Sequence, residues 1–196
     1  MRILKSLMAA GAVSSVALSS ILALSAPAIA ADSGTGTNTG KNIVSEVRLG
    51  LYDHESELFG DRYETSDPDV NVEILFNAPD WLAWMANPRL NIGADINTGS
   101  GTSIGYGGLV WTYDVTDALF IEGAFGGAIH DGETDRPTAD QMDLGCRVMF
   151  HESASIGYRV SDNTSVMVTV DHMSNAGLCS SNPGITNAGV RLGYTF

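Results

Sequence analysis

Basic residues are scarce in this chain. Its 196 residues hold 10 Lys and Arg against 23 Asp and Glu, a formal net charge of −13 with histidine neutral. Such a surface repels phosphate backbones, which excludes DNA and RNA as partners. Cysteine is almost absent as well. Cys146 and Cys179 can make at most one disulfide, and no ligand spacing marks a metal site. No stretch carries amphipathic helical periodicity over a length comparable to the strands described below. Acidic residues, abundant elsewhere, are missing before Asp32.

That last absence belongs to an export signal. Arg2 and Lys5 form a positive n-region, Leu7 to Leu24 an apolar stretch rich in Ala and Ser, and Ala28-Ile29-Ala30 an A-x-A cleavage site. Pro27 and the Ser and Gly breaks exclude a retained transmembrane helix. The expectation is a signal peptide over 1–30, a flexible Gly/Thr/Asn lead-in over 31–41 and one domain over 42–196. Without Arg2 and Lys5 the charge falls to about −15. Export carries the two cysteines into an oxidising compartment, where a disulfide is permitted.

What the domain does contain is strands. Eight are expected, at about 42–51, 69–77, 89–98, 103–114, 118–130, 144–160, 165–175 and 187–196. Only Pro79 to Asn87, with Trp81, Leu82 and Trp84, suits a helical turn or an interfacial loop. The first connection, 52–68, is long and acidic, and the second, 78–88, is intermediate. Tight turns at 114–117 and 161–163 then alternate with long loops at 131–143 and 176–186. Long loops at one end and short turns at the other, over an even number of strands, indicate an all-β fold. It is the eight-stranded antiparallel transmembrane β-barrel of the outer membrane. The last strand agrees, with Ala188, Val190, Leu192, Tyr194 and Phe196 on one face and Asn187, Gly189, Arg191, Gly193 and Thr195 on the other. A secreted barrel of lipocalin type also alternates, with its apolar face inward, and parity alone does not separate the two. Eight strands leave an interior filled by side chains, here including Arg147, Arg159 and Arg191 with Asp171, so open conduction is not expected.

The seventh strand carries the chemistry. Val166, Val168 and Val170 share a face that His172 and Ser174 continue, while Ser165, Met167, Thr169, Asp171 and Met173 face the other way. Residues two apart on a strand lie about 6.5–7 Å apart at Cα, so the imidazole can take the hydroxyl proton. With the valines on lipid, the pair sits on the outer wall, about 25–30 Å up the strand and near the outer headgroup boundary. On the sixth strand Glu152 also falls on the lipid-facing parity, where a carboxylate is costly and needs a reason. A three-residue turn over 161–163 pairs Val160 with Thr164 and sets Glu152 across from His172. A register shift of two sets it across from Ser174. The alternative is a snorkelling or bulged Glu152 with no role. Cys146, at the extracellular start of the sixth strand, and Cys179, in the last long loop, are expected to form a disulfide that pins this loop over the site. That closure is worth on the order of 3 kcal/mol, the alternative being two free thiols.

With these residues in place, the stretch from about Leu144 to Phe196 resembles the lipid A 3-O-deacylase (PagL-like) family of outer-membrane barrels. The matching motifs are His172-x-Ser174-Asn175-Ala176, Asn182-Pro183-Gly184 and Gly189-x-Arg191-x-Gly193-Tyr194. The first two-thirds of the chain match in architecture only. The resemblance implies an eight-stranded barrel with a lipid-facing serine hydrolase site, acting without a cofactor on the acyl chain ester-linked at position 3 of lipid A. It implies His172 as general base, Ser174 as nucleophile, and Asn175 with a nearby backbone N–H as oxyanion donors. The family's carboxylate lies two positions after the glycine of the Asn-x-Gly turn, and here that position is Thr186. A hydroxyl cannot balance an imidazolium, so Glu152 is the candidate replacement. Asp171 points to the opposite face and ranks lower.

Three function classes follow. The first is a serine esterase acting on lipid A or lipopolysaccharide in the outer leaflet. The second is a non-catalytic surface barrel whose acidic loops bind a partner. The third, weaker, is a small channel or ligand barrel. Divalent cations held by the acidic loops would bridge lipopolysaccharide phosphates, and a homodimer stays open.

Overall fold

The computed structural model describes residues 43–196. The signal peptide and lead-in expected over 1–41 lie outside the described residues. Eight antiparallel strands close into a barrel: β1 (Val44–Asp53), β2 (Asp69–Phe76), β3 (Arg89–Asn97), β4 (Ile104–Asp114), β5 (Leu119–His130), β6 (Val148–Arg159), β7 (Thr164–Ser174) and β8 (Ile185–Thr195). Each strand pairs with its sequence neighbours, and β8 returns to β1. Connections 77–88, 115–118 and 160–163 therefore share one end, and 54–68, 98–103, 131–147 and 175–184 the other. Within 77–88 a 3-10 helix, Asp80–Met85, buries Leu82 and leaves Trp81 and Trp84 exposed. Indole rings of this kind suit a membrane–water boundary.

The apolar parity faces outward. Val168, Ile129 and Leu192 are about 60% exposed, whereas Arg48 and Arg191 inside the barrel are 1% and 3% exposed. An apolar belt outside and charge inside is what a lipid-spanning barrel requires and the inverse of a lipocalin. Buried charge is tolerated in the lumen because it is paired. Arg48 bonds Glu46, Glu73 and Glu122, at 2.8, 3.1 and 2.5 Å. Arg191 bonds Glu73 at 2.8 Å and the hydroxyls of Thr169 and Ser155 at 3.0 and 2.8 Å. Arg147 and Arg159, expected in the same interior, sit at the two rims. Arg147 donates to the carbonyls of His130 and Gly132, and Arg159 bonds Asp114 and lies over the Phe120 ring.

One boundary differs from expectation by more than two residues. Strand β6 begins at Val148, not Leu144, because Gly145 takes φ +79° and breaks the extended run. Leu144 turns inward to full burial, and its N–H bonds the Glu133 carbonyl at 2.9 Å.

The loop end is capped by a buried polar knot. His54 bonds Asp69 through Nδ1 at 2.9 Å and Glu64 through Nε2 at 3.0 Å. Glu64 also accepts from the Thr102 N–H and hydroxyl and from the Met142 N–H, so it ties three loops together. Burial pulls the His54 imidazolium down, but hydrogen bonds and charge from Asp69 and Glu64 outweigh it and push its pKa up to about 9. Burial raises the Glu64 carboxyl, and bonds from His54, Thr102 and Met142 outweigh it and hold the group below its ordinary range.

Candidate active site on the lipid face

The β6–β7 turn decides the register. The Val160 N–H bonds the Thr164 carbonyl at 2.9 Å, and from that closure Glu152 pairs directly with His172. On the other side, β8 places Thr186 opposite His172. Glu152, His172 and Thr186 therefore form one row across three strands, all half-buried on the outward parity. Ser174 stands two residues further along β7, opposite Phe150, on the same face. The structure thus brings all four residues into one patch of the outer wall.

A single hydrogen bond orients the imidazole. His172 Nδ1 lies 2.8 Å from Thr186 Oγ1. That bond turns Nδ1 toward β8 and away from Glu152, whose Oε2 is buried without a hydrogen-bond partner. Nε2 is left as the available base. It lies beside Gly184, where an added Cβ would stand 2.9 Å from Cε1 and 3.4 Å from Nε2 of His172. Gly184 also has φ +72°, so both backbone and space call for glycine here. No hydrogen bond joins His172 to Ser174 or to Glu152 in this arrangement. Catalytic bonds of substrate-free sites commonly tighten only when substrate is in place.

Asn175 is engaged elsewhere than at an oxyanion. It follows Ser174 on an alternating strand, so it points inward and is 2% exposed. Its Nδ2 donates to the Leu144 and Ser181 carbonyls at 2.9 and 2.6 Å. Its Oδ1 accepts from the Gly177 and Cys179 N–H groups at 3.0 and 3.4 Å. The side chain holds the turn after Ser174, where Ala176 and Gly177 take φ +52° and +75°. The Asn175 N–H in turn donates to Asn182 Oδ1 at 2.8 Å. Asn182, Gly184 and Leu144 are thus part of the site's scaffold. The Asn182-Pro183-Gly184 turn signal was the available hint for the first two, and Leu144 gave none.

Two further features bound the site. Cys146 and Cys179 are joined in a disulfide with Cα atoms 5.9 Å apart, linking the base of β6 to the 175–184 loop. The first loop reaches the row from the other side, where the Ser56 N–H bonds the Thr186 carbonyl at 2.7 Å. Between them a cleft of about 250 Å³ opens, bordered by Glu55, Phe59, Tyr63, Pro183, Gly184 and Thr186.

A closed eight-stranded barrel with an apolar belt, a charged lumen and polar side chains gathered on its outer wall is an outer-membrane β-barrel. The sequence profile of the family described as lipid A 3-O-deacylase (PagL) matches residues 69–195, and the chain belongs to that family. The crystal structure of the outer-membrane enzyme PagL is similar to this chain at 20% identity and a TM-score of 0.56, covering 78% of this chain and 99% of that one. A de novo designed transmembrane β-barrel is similar at 15% identity and a TM-score of 0.51, covering 80% and 98%. These likenesses show the fold. No curated protein matches the chain. The comparisons lend no support to a homodimer.

Proposed function

We propose that this barrel is a serine esterase that removes the acyl chain ester-linked at position 3 of lipid A in the outer leaflet. Family membership supports the substrate class. The observation that carries the mechanism is the row Glu152–His172–Thr186 with Ser174 beside it, all on the lipid-facing parity. In the proposed reaction Ser174 Oγ attacks the ester carbonyl while His172 Nε2 takes its proton. The imidazolium then protonates the departing sugar hydroxyl, and water, activated by the same histidine, releases the fatty acid.

Thr186 and Glu152 divide the work that one carboxylate does in a Ser-His-Asp triad. The Thr186 hydroxyl fixes the ring through Nδ1, as a positioning residue. Glu152, directly across the β6–β7 pair, supplies the negative charge that stabilises the imidazolium, and low dielectric beside lipid strengthens that attraction. Asn175 positions the turn after Ser174, and because the Asn175, Gly177, Leu178 and Cys179 N–H groups are bonded within the loop, the oxyanion is left to the Ala176 N–H.

The departure at Thr186 favours one competing reading, a non-catalytic surface barrel with a relic site. Purified, refolded protein incubated with lipopolysaccharide separates the two. The esterase reading expects release of a 3-hydroxy fatty acid, lost in Ser174→Ala and His172→Ala while both variants remain folded and heat-modifiable. No release from the wild type, or equal release from both variants, removes it.

A further inference from the structure

Behind the catalytic row, on the lumen side of the same ladder, three side chains converge that the esterase reading does not use. Asp95 of β3, His151 of β6 and Asp171 of β7 each offer a ligand atom, and those atoms lie within 4.8 Å of one another. The three residues are 0%, 4% and 4% exposed. Their neighbours in the chain, Glu152 and His172, face lipid, so the two clusters are the two faces of one stretch of the β6–β7 pair.

The cluster is held as a site. Asn71 Nδ2 donates to Asp95 Oδ1 at 2.7 Å and to the Tyr106 hydroxyl at 2.8 Å. The Tyr106 ring stacks on His151 with centroids 4.1 Å apart and planes 11° apart, which fixes the imidazole. Asp95 Oδ2 and His151 Nε2 have no hydrogen-bond partner although both are buried. Two arginines of the lumen make their bonds to other groups, Arg191 to Glu73, Ser155 and Thr169, and Arg48 to Glu46, Glu73 and Glu122. Two buried carboxylates with no arginine in direct contact are costly. His151 Nε2 and Asp171 Oδ2 stand 3.6 Å apart, too far for a hydrogen bond. That separation is close to the edge of about 3.4 Å that a tetrahedron of metal–ligand bonds near 2.1 Å spans.

We propose that Asp95, His151 and Asp171 bind one divalent transition-metal ion of the Zn²⁺ class, as a structural clamp across the lumen. One imidazole with two carboxylates suits Zn²⁺ over the oxygen-seeking Ca²⁺ and Mg²⁺. A water completes the fourth position. The ion joins β3 to β6 and β7 and steadies the strand that carries His172 and Ser174. Asn71 and Tyr106 act as the outer shell that orients two of the ligands. This inference does not depend on the esterase reading.

The test uses the mature chain without an affinity tag, refolded into detergent with ZnCl₂ or CoCl₂ and then passed over a column in EDTA. The expected result is about one equivalent of retained metal, with Co²⁺ giving visible ligand-field absorption of a low-symmetry site. Asp95→Asn and His151→Gln should each retain about a tenth or less, while Asp135→Asn, a loop acid, retains the wild-type amount. Asn71→Ala should weaken metal affinity roughly 10- to 100-fold. Should the lumen variants fail to fold, the wild type decides alone, because metal must raise its urea midpoint and a refolding carried out in EDTA must lower it. Retention by the wild type below about a tenth of an equivalent overturns the site and leaves the two carboxylates sharing a proton. Equal retention by Asp95→Asn and His151→Gln overturns it too.

Discussion

His172 is held by a hydroxyl where a triad ordinarily supplies a carboxylate, and its behaviour follows from that exchange. A bond to Thr186 Oγ1 fixes the ring but adds no charge. In the proposed mechanism the charge comes from Glu152, which stands across the ladder with an unpartnered Oε2. Removing it by Glu152→Gln should lower turnover by orders of magnitude, up to roughly 10⁴, with the protein still inserting and folding. Thr186→Glu in that background should restore part of the loss, because it returns a carboxylate to the Nδ1 side of the ring. Initial rates of 3-hydroxy fatty acid release measure both. Full activity in Glu152→Gln would hand the role to another group.

This residue-level geometry was largely legible beforehand because it rests on parity. Strand alternation alone puts His172, Ser174, Glu152 and Thr186 on one face, and one turn sets the register. What parity cannot give is the direction of a ring. The turn of Nδ1 toward Thr186, and the full engagement of Asn175 by Leu144 and Ser181, depend on loop carbonyls whose positions no local pattern encodes.

At the scale of elements, the 175–184 loop holds the site in shape. Its turn hangs on Asn175 and its far side on Cys179, bonded to Cys146. Cys146→Ser with Cys179→Ser should lower stability by about 3–4 kcal/mol for a closed loop of this length. The urea midpoint of the refolded barrel measures the cost. Activity should fall further than stability alone explains, since the turn after Ser174 loosens. The misplaced start of β6 has the same origin as this loop. Leu144-Gly145-Cys146-Arg147 continues an apolar alternation on paper, yet Gly145 takes a left-handed backbone and Leu144 becomes a plug under Asn175.

The cap over the loop end is the second element with a measurable signature. His54 bridges Asp69 and Glu64 inside it. Its pKa is raised from 6.5 to about 9, so its stabilisation is fully present below pH 6.5 and is lost as pH rises through about 9. Glu64 is shifted the other way, so its contribution is lost at acid pH. Limited proteolysis within 54–68 should be slow near pH 6 and faster by pH 10. His54→Gln should flatten that difference. Proteolysis of the wild type that does not change across this window would contradict the assignment. This knot was not legible in advance, because it joins residues from three loops that only barrel closure brings together.

For the whole molecule, the inversion of apolar and polar faces is what the proposed chemistry rests on. Lipid meets valine, leucine and isoleucine, and the lumen is filled by arginine–glutamate pairs. Strand number, order and orientation were readable from alternation and loop lengths. Parity alone did not separate lipid barrel from lipocalin, because both alternate. The long and short loops pointed to the lipid barrel, and the closed structure puts the apolar face outside. The lumen cluster of Asp95, His151 and Asp171 was hidden, since Asp95 of β3 is distant in sequence from β6 and β7 and meets them only across the closed lumen. The proposed site on the outer wall would meet its substrate laterally, in the leaflet, and the proposed nucleophile would act on an ester presented by lipid.

The central claim is that Ser174 is a nucleophile activated by His172 at that wall. Covalent labelling tests it most directly. The refolded protein in lipopolysaccharide-containing micelles is treated with a long-chain alkyl phosphonofluoridate, digested, and read by mass spectrometry. The account predicts one phosphonate adduct, on Ser174, that disappears in His172→Ala because the hydroxyl loses its base. An unmodified Ser174 in protein that releases fatty acid, or equal labelling of Ser174 in His172→Ala, would contradict it.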